Sequence, residues 1–76
     1  METISRRPSD YRPTTHFGQR LRERNVPGFA IRECIESGDV KPGDTPDTRE
    51  LRRNGYFVVL NVENREAVTV GVSGRE

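Results

Sequence analysis

The sequence predicts an α+β domain in which two N-terminal helices pack on one face of a three-stranded antiparallel sheet, in the order ααβββ. Three observations lead there. Apolar residues recur at helical spacing between positions 17 and 35, the period changes to two after position 48, and Asn54-Gly55 separates two strand-like runs. With 76 residues the chain holds one small domain, and a chain of that size buries only about 60% of its unfolded surface. Hydrophobic residues make up 30% of it against 33% charged, the low end for a globular protein, but the apolar ones gather after position 16. A packed domain is therefore expected over residues 14–73 and a flexible extension over residues 1–13, which have two prolines and no apolar period.

The first helix is expected to begin after Pro13, where a threonine hydroxyl of Thr14 or Thr15 is available to cap a free N–H. It should stop by Val26, because Pro27 pushes its predecessor out of the α region. Pro27 then suits the first turn of a second helix. Ala30, Ile31, Cys34 and Ile35 share one face at a period of 3.6, and Gly38 fits a left-handed position just past the end. Two short helices joined so closely are expected to lie against each other.

Residues 39–47 read as a loop, from two prolines and a Pro-Gly pair. Arg53-Asn54-Gly55-Tyr56 reads as a type I′ hairpin turn joining a polar strand, 48–53, to an apolar one, 56–62. The two-residue turn pairs Arg53 with Tyr56, Arg52 with Phe57 and Leu51 with Val58, so Leu51, Tyr56, Val58, Leu60 and Val62 face the helices. A third strand spans 67–72. The obvious four-residue turn gives its valines the opposite parity to Val58 and Leu60, which a bulge at Gly71 would correct. The end, 73–76, is polar and expected to fray.

Charge is more informative in its distribution than in its sum of +1, which by itself argues against strong non-specific nucleic-acid binding. His16, Arg20 and Arg24 stand at i, i+4, i+8 and form one row on a helix, beside the apolar row of Phe17 and Leu21. Two readings are open. The arginines snorkel over the core edge and pair with carboxylates of the second helix, or they bind phosphate beside a cleft while the imidazole moves a proton. Phe57 and Val59 point away from the helices, next to Arg52 and Glu50. They are either ordinary half-exposed strand residues, or residues packed under the N-terminal tail, or an apolar and basic patch where a partner or nucleic acid docks.

One cysteine excludes an internal disulfide framework, and with one histidine it leaves no metal cluster; no cofactor is expected. Cys34 lies on the apolar stripe with Ile31 and Ile35 and reads as a buried thiol. No run is long or apolar enough for a signal peptide or a membrane span, so the expectation is a soluble cytoplasmic protein with no membrane contact.

The spacing His16, Arg20, Arg24, followed by Asn25-Val26 at the start of the second helix, Glu36-Ser37-Gly38-Asp39-Val40 at its end and the strand Tyr56-Phe57-Val58-Val59, resembles an uncharacterised small-domain family. That family mostly has Gly where Asn25 stands, and Asn also adopts left-handed conformations. In outline the order of elements is similar to that of the RelE and BrnT ribonuclease toxins, which cut RNA without metal. The resemblance implies a RelE/BrnT-like fold and an RNA-binding or toxin-type ribonuclease activity, with RNA and an antitoxin-like protein as partners. His16 would then be the proton donor or acceptor, Arg20 and Arg24 phosphate clamps, and Arg49, Arg52, Arg53 and Arg65 substrate-holding groups on the sheet. The alternative, from another class, is a non-catalytic interaction or homodimerising module that uses the Phe57/Val59 face and strand 48–53 as an exposed edge.

Overall fold

A computed structural model describes residues 4–73; residues 1–3 of the expected extension and 74–76 of the expected frayed end lie outside that range. The order is a short 3-10 turn at Pro8–Asp10, β1 Arg12–Pro13, α1 Thr15–Glu23, α2 Gly28–Ser37, β2 Asp39–Pro42, β3 Thr48–Arg53, β4 Tyr56–Asn61 and β5 Glu66–Val72. The fold is α+β, but the sheet corrects the expectation of three antiparallel strands. It has five, in the order β1-β5-β4-β3-β2, with β1 parallel to β5 and every other pair antiparallel.

Both extra strands come from stretches whose prolines read as loop or tail. Pro13 fits a two-residue parallel strand because the donors on either side make the bonds: Arg12 N–H to Arg65 O at 3.0 Å and Thr14 N–H to Ala67 O at 3.1 Å. Pro42 ends β2 at the sheet edge, where a missing N–H leaves no ladder partner unsatisfied. The segment before β1 packs as well. Tyr11 is buried in the core with Ile4 against it, and its hydroxyl donates to Ser5 O at 2.7 Å. Arg6 reaches the C-terminal end of α2, donating from Nε to Ile35 O and from Nη2 to Gly38 O, both at 2.6 Å. It thereby satisfies carbonyls that a helix end leaves without partners, with a cation where the helix dipole favours one.

The expected local signals place the rest. Thr14 caps α1, its hydroxyl oxygen accepting from Phe17 N–H at 3.2 Å and donating to Ala67 O at 3.1 Å. Asn25 takes φ 53° in the link between the helices, and Asn54 and Gly55 take φ 54° and 85° in the hairpin turn. That turn sets the pairs Arg53↔Tyr56, Arg52↔Phe57 and Leu51↔Val58 as expected. Gly38 is not left-handed; it is extended at φ −71°, ψ 159°, and its missing side chain lets Arg52 O come within 3.0 Å of where a Cβ would stand.

The register of β5 is resolved by a bulge, located at Val68 and not at Gly71. Leu60 faces Ala67 while Val59 faces Thr69, so Val68 is the extra residue and Val70 returns to pair with Val58. The core then consists of Leu51, Val58, Leu60, Ala67 and Val70 from the sheet, with Ala30, Cys34 and Ile35 from α2 and Phe17, Val26 and Tyr11 around them. The helices do not share the same strands: α2 packs across β3 and β4, whereas α1 runs along β5, beyond the short β1. Its apolar residues Phe17 and Leu21 join the core cluster, and its basic row borders the opposite sheet face.

Candidate functional site

The face turned away from α2 is organised in two rows across the strands, set by the register alone. One row runs Arg52, Phe57, Gly71; the next runs Glu50, Val59, Thr69. On β2 they continue to Asp39 opposite Arg52 and Lys41 opposite Glu50. Two residues of strand separate the rows, so they lie about 7 Å apart.

Helix α1 adds one basic residue to the β5 end of each row. A Cβ on Gly71 would lie 2.6 Å from Arg24 Nη1 and 2.8 Å from Phe57 Cε1, so the guanidinium and the ring meet above this glycine, and only the absence of a side chain there allows it. His16 reaches the second row, where it shares a cavity with Val59, Val68 and Thr69. The rows thus read Arg52, Phe57, Gly71, Arg24 and Glu50, Val59, Thr69, His16. The helical spacing that placed His16 and Arg24 on one line also places them along one sheet face.

Their electrostatic states differ. Arg20, between them on the helix, is half-buried and paired with Glu23, Nη1 to Oε1 at 2.7 Å. Arg52 is held by Glu50 on its own strand. The side chains of Arg24 and His16 are exposed and have no hydrogen bond or ion pair to any other described residue, which leaves one unpaired guanidinium and one imidazole available to a ligand, beside the Arg52 guanidinium that Glu50 engages through Nε.

The other sheet arginines do not join this face. Arg49 pairs with Leu60 and lies on the helix side, where its Nη1 donates to Pro46 O and Thr48 O at 2.7 Å each. Arg53 is on the same side at the hairpin end. Arg65 occupies the 62–65 turn at φ 58°, 3.5 Å from an Asp10 carboxylate oxygen. Of the four expected to hold substrate, only Arg52 stands beside Phe57. The sequence pointed to none of Thr69, Gly71 and Val68, because their side of the sheet depends on a bulge that no residue type announces.

Strand 48–53 is not an edge, since β2 pairs along it. The edge is β2, and it is poorly suited to accept another strand. Gly43 N–H donates to Thr48 O, so by alternation the backbone groups of Gly43, Lys41 and Asp39 turn to β3 and those of Val40 and Pro42 turn outward. Val40 therefore supplies the only outward N–H of this strand.

Cys34 is buried, its thiol 3.5 Å from Tyr56 O, and burial raises its pKa, so it is an inert core group and not a nucleophile. No helix among the described residues is long and apolar enough to cross a membrane. Comparison with family models, with characterised proteins and with solved structures returned no match, so the functional reading rests on the arrangement of these side chains.

Proposed function

We propose that the chain is a single-stranded RNA-binding module, and that the sheet face opposite α2 is its binding surface. The observation that carries this reading is the row Arg52, Phe57, Gly71, Arg24: an aromatic ring on a sheet, with a guanidinium at each side. A ring presented on a strand offers a platform on which a splayed base stacks, and forked cations on both flanks fit the phosphates before and after that base. Duplexes are poor ligands for such a surface because their bases are already stacked. His16, in the neighbouring row, is the single imidazole of the chain and stands where it can exchange a proton with the ribose-phosphate backbone of a strand lying along the face. That placement makes metal-independent cleavage the reaction to look for.

The test is chemical-shift mapping while the full chain is titrated with a short single-stranded RNA. Shifts are expected at His16, Arg24, Phe57, Val59 and Thr69, with Arg53 and Arg65 unmoved. Perturbations confined to the α2 side, or none at all, would refute the proposal. If the RNA is also shortened, His16→Ala should stop the shortening while leaving binding within about threefold of the native chain, since one exposed imidazole contributes little to affinity.

A further inference from the structure

Next to Phe57 the same face sinks into a cavity of about 360 Å³, between α1 and the loop that joins β2 to β3. That size is at the small end of the range of about 300–1,000 Å³ usual for small-molecule sites, room for one base but not for a folded peptide. Val59 and Val68 supply apolar surface, His16 bounds it on the helix side, and polar groups come from Thr69, Glu50 and Asp44 and from Thr45 and Thr48.

The polar groups of the cavity favour a particular ligand chemistry. Asp44 has no hydrogen bond or ion pair with any other described residue. Glu50 is held in place by Arg52 through Oε2, which leaves Oε1 uncommitted. Carboxylates accept hydrogen bonds and do not donate them, and two of them repel a phosphate, so the group that enters carries no negative charge and is rich in N–H donors. Among the RNA bases, guanine alone presents a ring N–H and an exocyclic amine side by side, the spacing of the two oxygens of a carboxylate. Adenine and cytosine offer one amine each, and uracil one N–H between two acceptors.

We propose that this cavity is a guanine pocket, which receives the base adjacent to the one stacked on Phe57 and reads its donor edge through Glu50 and Asp44. The inference rests on the proposed RNA surface and adds to it a sequence preference. The spacing agrees, since Val59 lies two residues along the strand from Phe57, about 7 Å away, so neighbouring bases of one extended strand meet the ring and the cavity in turn.

The experiment is fluorescence anisotropy of the full chain with dye-labelled uridine heptamers that carry one central guanine, adenine or inosine. Guanine should bind roughly tenfold tighter than adenine, the discrimination expected of a good bidentate contact, with inosine, which lacks the amine, in between. Asp44→Asn and Glu50→Gln should each shrink the preference to about threefold or less, on the loss of one acceptor. Equal affinity for guanine and adenine, with Phe57→Ala abolishing both, would overturn the pocket and leave the RNA surface standing, as would a preference that survives both variants. No binding of any heptamer would overturn both. If arginine amide shifts Asp44 and Thr69 while every RNA is silent, the cavity takes a cationic side chain of a protein, and the guanine assignment is wrong.

Discussion

Gly71 is the residue on which the open face depends most directly. Gly71→Ala puts a methyl group 2.6 Å from Arg24 Nη1 and 2.8 Å from Phe57 Cε1; the guanidinium can swing aside, but the ring is fixed by its strand. The expected cost is about 1–3 kcal/mol of stability, measured by urea unfolding, together with weaker RNA binding as Arg24 leaves Phe57. Two buried acids set the behaviour in alkali. Burial raises the pKa of Cys34 above its ordinary 9.0 and, partly offset by the Arg65 cation, that of Tyr11 above its ordinary 10.0. The unfolded chain therefore releases these protons first. The stability they contribute is intact below the unfolded pKa values and is lost as pH rises through the folded ones. The urea midpoint should fall as pH rises above about 9, and Cys34→Ala should lessen the fall. At this scale the sequence was informative wherever a residue acts on its own neighbourhood. Asn25, Asn54 and Thr14 do what their side chains and backbone preferences dictate, and Cys34 follows its stripe into the core. Arg6 could not be read that way, because its partners are carbonyls 29 and 32 residues away.

Among the elements, α2 is held at its C-terminal end by that arginine. Arg6→Ala leaves the carbonyls of Ile35 and Gly38 without their charged donor and should cost about 1.5–3 kcal/mol, the range for a hydrogen bond to an ionised group. Faster hydrogen exchange in the last turn of α2, with the β3–β4 amides unchanged, would locate the loss. The β3–β4 hairpin was legible because a two-residue turn leaves its register no freedom. Strand β5 was only half legible. Its valines look alike, and nothing in their side chains shows that Val68 is the one displaced while Val70 pairs with Val58. Strand β2 was hidden for another reason. An edge strand needs little apolar content and tolerates proline, so Asp39–Pro42 has the composition of a loop and the geometry of a strand.

For the molecule as a whole, a net charge of +1 means that RNA is attracted by placement of charge and not by quantity. If Arg24 and Arg52 are the two phosphate contacts, the logarithm of the binding constant should fall with the logarithm of salt at a slope of about −1.4, twice the single-strand value for each phosphate. A slope several-fold steeper would bring in cations away from this face. The two-row arrangement was partly visible in the sequence, which gave the line of His16 and Arg24 and the outward direction of Phe57 and Val59. What joins them is the position of α1 on β5, and that depends on β1, which the sequence concealed. The first strand bonds only to the last, with Thr14 and Ala67 53 positions apart. On a ribosome, Arg12–Pro13 must therefore wait unpaired until β5 has left the exit tunnel, even though Arg6 can already reach α2, and in refolding this pairing follows the local hairpin.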